Sequence, residues 1–149
     1  MMYTYTQCLY QITFHTKFNE NTLIKSNRRI LFPYISKVIS NKKCHAYRIG
    51  GVEDHIHIIM RLNPSIALSN MVKDIKLSSS HMIRETKLFP KFRGWQVGYA
   101  AFTYSYDALP DLIEYVDNQE KHHVKESAKN ELINMLKIRN VDFDEKNLF

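Results

Sequence analysis

The chain has 149 residues, 44% of them hydrophobic and 24% charged, a composition that belongs to a folded domain and excludes a disordered chain. No apolar run exceeds about eight residues, so no membrane span is expected, and the N-terminus lacks the basic region and apolar stretch of a secretion signal. The net charge of +6 is unevenly placed: residues 1–50 carry eight Lys/Arg and one acid, whereas residues 101–149 carry six Lys/Arg and ten acids. A long basic segment suits an anionic partner such as nucleic acid. The only two cysteines, Cys8 and Cys44, each sit in an apolar run and read as core residues of a cytoplasmic protein.

Residues 4–15 are rich in aromatic and β-branched types with rough alternation, which predicts a strand. Apolar positions at helical spacing predict a helix over 22–41, with Pro33 marking either its start or a kink. Two short β-type runs, 43–49 and 55–62, flank Gly50-Gly51-Val52-Glu53-Asp54 and predict a hairpin, the paired glycines permitting a tight reversal. An amphipathic helix follows from Ile66 to about residue 86, then a loop with Pro90 and Gly94, then a β-type run over 97–106. Pro110 opens a helix through about residue 123 as a first-turn proline, and a last helix covers roughly 127–139. No repeat or linker interrupts residues 1–149, which read as one domain. The order β-α-β-β-α-β predicts an α+β fold of the ferredoxin-like or RNA-recognition type, an antiparallel sheet with helices on one face and further helices after it.

Two segments carry chemistry. Side chains alternate across a strand, so His55 and His57 point to one face while Ile56 and Ile58 point to the other. Two imidazoles on one face can share a metal ion; seven histidines are spread along the chain, however, and a hydrogen-bonded strand pair reads the same way. Tyr115 and Gln119 are four apart in the helix after Pro110, one above the other on a single face, with Leu112, Ile113 and Val116 available to dock it. Taken alone, Tyr115 reads equally as a packing residue.

Together the segments resemble a known family. Gly50-Gly51-Val52-Glu53-Asp54-His55-Ile56-His57 looks like the metal-binding segment of HUH nucleases, in which a hydrophobic residue separates two histidines. Trp95-Gln96-Val97-Gly98-Tyr99-Ala100-Ala101-Phe102 and Tyr115-Val116-Asp117-Asn118-Gln119-Glu120-Lys121-His122-His123 are similar to the IS-two-hundred-like single-tyrosine transposases. The likeness extends from Thr16-Lys17 to Val141-Asp142-Phe143-Asp144. Isoleucine replaces the more usual valine or leucine between the histidines and keeps the hydrophobic character.

The resemblance implies that His55, His57 and Gln119 ligate a divalent metal and that Tyr115, on a helix of the C-terminal part, is the nucleophile. It implies a homodimer in which the tyrosine helix of one subunit completes the site of the other. The implied substrate is single-stranded DNA at the hairpin ends of a mobile element, cleaved and rejoined through a 5′-phosphotyrosine. A tyrosine hydroxyl, with a pKa of about 10, needs assistance to attack at neutral pH. A metal on the scissile phosphate supplies it. Two neutral imidazoles and an amide bring no negative charge, so weak metal binding is expected until a DNA phosphate completes the site, with Mg2+ or Mn2+ as the working ion. Asp54 reads as a partner that orients His55 or as a turn residue, and His122 and His123 as metal neighbours or as helix-end cations. Lys17, Lys73, Lys76, Arg84, Arg93 and Trp95 are candidates, as a group, for contacting phosphates or stacking a base. Two competing readings are a domesticated nickase with the same chemistry and a non-cleaving RNA-recognition-like module that stacks bases on Tyr99 and Phe102.

Overall fold

The computed structural model describes residues 3–148; Met1 and Met2, part of the segment read for a secretion signal, lie outside them, as does Phe149. Among the described residues four strands, β1 (Leu9–His15), β2 (His45–Gly51), β3 (His55–Arg61) and β4 (Ala100–Tyr104), form one antiparallel sheet in the order β2-β3-β1-β4. The long crossovers are α1 (Lys25–Asn41) and α2 (Leu68–Thr86). Three helices follow the sheet: α3 (Leu109–Asp117), α4 (Gln119–Lys125) and α5 (Ala128–Ile138). This is the expected α+β arrangement, and none of its helices is long and apolar enough to cross a membrane.

The period-2 pattern of β1 and β3 separates two chemistries. Ile12, Phe14, Ile56, Ile58 and Met60 are buried on one face beneath Leu31, Ile35 and Ile39 of α1 and Met71, Val72 and Ile75 of α2. The opposite face presents Gln11, Thr13, His15, His55 and His57, all buried, and the register sets Thr13 beside His57 and His15 beside His55. Two smaller apolar clusters flank this polar strip. Leu9 and Ile59 meet Leu109, Leu112 and Val116 of α3, and Phe102 meets Leu132 and Leu136 of α5. Helices therefore cover the second face as well. Phe102 is only 5% exposed beneath α5, which removes the open aromatic sheet that an RNA-recognition-like module requires.

Several boundaries differ from the expected ones for physical reasons. β1 starts at Leu9, since residues 4–8 pair with no strand. β4 starts at Ala100 because Gly98 takes φ 95°, outside the extended region, and Val97 and Tyr99 face solvent. Pro33 lies inside an unbroken α1. The helix expected over 110–123 is broken at Asn118, whose φ −96° and ψ 15° close α3 and open α4. Asparagine is a poor interior helix residue because its side chain competes for backbone groups.

The hairpin forms as expected, but neither of its glycines has positive φ. What they provide is space. A Cβ on Gly51 would stand 2.4 Å from the His55 carbonyl oxygen, and one on Gly50, opposite His57, 2.6 Å from Val116 Cγ1. Gly50 thus lets α3 approach the histidine strand. Valine ordinarily favours a strand, yet Gly50→Val is expected to push α3 away and to lower stability in urea unfolding by about 1–3 kcal/mol. Adding Val116→Ala should recover part of that loss; a neutral single variant would show that the contact is slack.

Candidate active site

The site is assembled from β3 and from the three helices laid over the polar face. His55 and His57 are 1% and 0% exposed, two residues apart on β3, an inner strand of the sheet. The His55 ring is gripped at Nδ1, which donates to Asp54 Oδ1 at 2.7 Å, so Nε2 is turned inward. Gln11, an amide able to present oxygen or nitrogen, lies 3.4 Å from His57 Nδ1 and accepts from the Tyr104 hydroxyl at 2.8 Å. Both imidazoles thereby aim Nε2 at the same point.

Glu131 of α5 meets them there. Its Oε1 lies 3.1 Å from His55 Nε2 and 3.0 Å from His57 Nε2, while Oε2 accepts from the Tyr115 hydroxyl at 2.6 Å and from Gln119 Nε2 at 3.3 Å. Gln119 is buried, with Oε1 3.1 Å from His55 Nε2. The Tyr115 ring stands edge-on to His57 with centroids 5.7 Å apart and stacks on His122 at 4.8 Å. The four residues singled out in the sequence, His55, His57, Tyr115 and Gln119, thus come together within one chain. Tyr115 and Gln119 do so from two helices that meet at Asn118, rather than from successive turns of one.

Electrostatics follow from the burial of one carboxylate among these groups. Burial opposes charge on His55, but the bonds to Asp54 and Glu131 outweigh it and hold the imidazolium up to about 9. Burial dominates at His57 and pulls its pKa below the ordinary value. His15, stacked on His55 with centroids 5.2 Å apart, is lowered to about 3 by burial and by the positive neighbour. Glu131 resists burial through its histidine partners and stays well below the usual carboxylate range. Burial, then the Glu131 carboxylate, push the Tyr115 phenol far above its ordinary value.

The donor set suits a divalent ion. His55, His57 and Glu131 are all buried and place their ligating atoms within 4.8 Å of one another, and Asp54, His55 and His123 form a second such group sharing His55. His123 therefore approaches His55, with ring centroids 5.8 Å apart, while His122 is occupied by Tyr115.

Lys17, Lys73, Lys76, Arg84, Arg93 and Trp95 fall elsewhere, together, as lining of a groove of about 510 Å³ between α2 and the 93–99 segment. Two of them have structural duties. Trp95 sits edge-on to Phe14 and Phe92, at 4.9 and 5.0 Å, and donates from Nε1 to Ser79 Oγ at 3.0 Å, so its half-buried ring is anchored to the core while it lines the groove. Lys76 donates to the Gln96 carbonyl at 2.8 Å, and burial lowers it to about 8. Tyr99 is the exposed aromatic of the groove. Residues Gln96 to Tyr99 also wall a second cavity, of about 290 Å³, lined by Thr13 and His15 beside the histidine pair.

Glu131 and Arg28 escape the sequence reading. Glu131 occupies an apolar stripe, three residues after Ala128 and four or five before Met135 and Leu136, and an acid in such a stripe is the signal that marks it. Arg28, 4% exposed, donates to the Leu23 carbonyl at 2.6 Å and to Glu120 at 3.3 Å, fixing α4 next to Gln119. Nothing in its local sequence distinguishes it from Arg29.

An antiparallel sheet that carries paired imidazoles beneath a tyrosine helix defines the class of protein to which the comparisons point. The family model "Transposase IS200 like" matches residues 4–119, and the chain belongs to this transposase family of DNA-processing enzymes. The fold is similar to the crystal structure of a candidate transposase from Deinococcus radiodurans R1, with 20% identity and a TM-score of 0.60 over 78% of this chain and 93% of that one. It is also similar to a REP-associated tyrosine transposase bound to a REP hairpin, with 17% identity and a TM-score of 0.57 over 84% of this chain and 72% of that one. No curated protein matches the chain.

In the metal-free protein, His55 should titrate near 9 by NMR, and Asp54→Asn should bring it well below that. A folded-state pKa raised above 6.5 contributes stability that is complete below pH 6.5 and is lost as pH rises through about 9. The melting temperature of wild type should therefore exceed that of Asp54→Asn by more at pH 6 than at pH 10; an equal gap would mean that the pair is not charged.

Proposed function

We propose that the protein cleaves and rejoins single-stranded DNA through a covalent 5′-phosphotyrosine on Tyr115, with a divalent ion, Mg2+ or Mn2+, held by His55, His57 and Gln119. The observation that carries the proposal is the link from the Tyr115 hydroxyl to both inward-facing imidazoles through a single carboxylate, 2.6 Å on one side and 3.0 to 3.1 Å on the other. A divalent ion at this point would withdraw charge from a scissile phosphate and orient it for in-line displacement. Tyr115 Oη bonds to phosphorus, the bond from phosphorus to the 3′-oxygen breaks, and the phenolic proton balances the 3′-hydroxyl that leaves. The phosphotyrosine conserves the phosphodiester energy, so a second 3′-hydroxyl can reverse the step without ATP. Asp54 fixes the tautomer of His55, and His122 keeps the phenol ring in place by stacking.

The basic groove is the DNA-binding surface in this proposal. The solved relative with a REP hairpin supports a folded single strand as the ligand. Among the described residues, Lys17, Lys73, Lys76 and Arg84 have no acidic partner, whereas Arg93 is paired with Glu20 at 2.8 Å. The shared 96–99 wall leads from this groove toward His15 and the histidine pair. We further propose a homodimer with composite active sites; the same side chains meet within one chain, so exchange of tyrosine helices would rebuild the same set from two subunits.

Incubating the protein with single-stranded DNA from the ends of its element and Mn2+ should yield a protein–DNA adduct that survives denaturation. Tyr115→Phe should yield none, and His57→Ala should lose cleavage with DNA affinity largely intact; an adduct in Tyr115→Phe would assign the nucleophile elsewhere. For the groove, Lys76 loses its charge as pH rises through about 8, so affinity for a hairpin oligonucleotide should fall between pH 7 and 9. Lys76→Met should remove that dependence and reduce the salt slope by about one; fluorescence anisotropy at constant ionic strength decides it.

A further inference from the structure

We propose that Glu131 is a fourth protein ligand of the divalent ion, binding through Oε1, and that its Oε2 tethers the Tyr115 hydroxyl beside that ion. The inference rests on the reading of His55, His57 and Gln119 as ligands, and it changes the character of the site. With Glu131 included, the set has a negative charge of its own, so the ion is held before any DNA arrives.

Three observations support it. The first is spacing. Neighbouring ligand atoms in a six-coordinate site with bonds of about 2.1 Å stand about 3 Å apart. Glu131 Oε1 lies 3.1 Å from His55 Nε2 and 3.0 Å from His57 Nε2, and Gln119 Oε1 lies 3.1 Å from His55 Nε2. The second is the division of labour between the carboxylate oxygens: Oε1 faces only the imidazoles, whereas Oε2 takes the Tyr115 hydroxyl at 2.6 Å and the Gln119 amide at 3.3 Å. One group can therefore ligate an ion and keep the nucleophile at hand. The third is anchorage. Glu131 is 6% exposed, on a helix begun by the Ser127 cap and docked through Leu132 and Leu136, so the carboxylate is fixed in place rather than sampling solvent. Two imidazoles with a carboxylate suit Mn2+ better than an all-neutral set does. Glu131 also lies beyond residues 4–119, the part of the chain that the family model matches.

The test is Mn2+ binding by the full chain, stripped of metal and free of DNA, followed through the electron paramagnetic resonance signal of the free ion. Wild type is expected to bind. Glu131→Gln, checked for folding by circular dichroism, should bind at least about tenfold more weakly, and Tyr115→Phe should bind as wild type does. Equal affinity of wild type and Glu131→Gln, or no binding by wild type without DNA, would overturn the proposal. Should Glu131→Gln fail to fold, Glu131→Asp replaces it: the shorter side chain keeps the charge but should lose affinity, and affinity equal to wild type overturns the assignment. Glu131-dependent binding in a wild type that forms no adduct would sink the cleavage chemistry and leave the ligand standing.

Discussion

A carboxylate taken out of water has to be matched by donors, and Glu131 meets this demand with four: His55, His57, Tyr115 and Gln119. An uncompensated buried charge costs several kcal/mol. The apolar contacts that hold the C-terminal helices are modest beside the main core, with α5 resting on Phe102 through Leu132 and Leu136. The polar junction therefore decides where α3, α4 and α5 can sit, because any other placement would strand the acid. It also explains why so many polar groups on the second sheet face are buried without being orphaned. Gln11, His55 and His57 take part in one connected network that runs from Asp54 through His55 and Glu131 to Tyr115, and Thr13 bonds the Ile56 carbonyl.

The rest of the fold serves the approach of these parts. The register of β1 on β3 lines up two polar stripes, so that Gln11, Thr13 and His15 support the histidines rather than crowding them with apolar bulk. Gly50 removes the one side chain that would hold α3 off the sheet. The break at Asn118 lets Tyr115 and Gln119 both turn inward. Along one straight helix the Gln119 side chain would stack over Tyr115 instead of reaching past it to His55. Arg28 then fastens the new helix to α1 and to the β2–β3 turn through Glu120 and Glu53.

The sheet, the hairpin and the two crossover helices were legible because hydrophobic period is a local property. The strand of His55 and His57 shows its two faces within seven residues. His55 and His57 were legible as a pair for the same reason, and Tyr115 and Gln119 through their resemblance to a family. Glu131 was not, because its meaning lies in a contact 74 residues away in sequence, with His57. Only the apolar stripe in which it sits hints at burial. The glycines were assigned to a reversal by their residue type, whereas their effect lies in close approach, which depends on a helix 66 residues further on, at Val116. Trp95 is a stacking candidate by residue type, whereas its packing against Phe14 as well as Phe92 depends on contact with a distant segment.

The uneven charge acquires a sharper meaning from the same contacts. Part of the basic excess in residues 1–50 is consumed within the chain, because the acidic C-terminal third folds back onto it: Glu120 pairs with Lys25 at 3.1 Å and with Arg28 at 3.3 Å, and Asp117 pairs with Arg48 at 3.1 Å. Those pairs are exposed in whole or in part, so each contributes little and is screened by salt. The Glu131 junction is shielded from solvent and is screened far less. Raising ionic strength therefore acts first on the outer clasp of α4 and on the groove lysines, and last on the junction that holds Tyr115 to the histidines. The acidic tail is thus no repellent for nucleic acid. It neutralises part of the basic surface around the tyrosine helices, while Lys17, Lys73, Lys76 and Arg84 stand together on the α2 groove without acidic partners among the described residues.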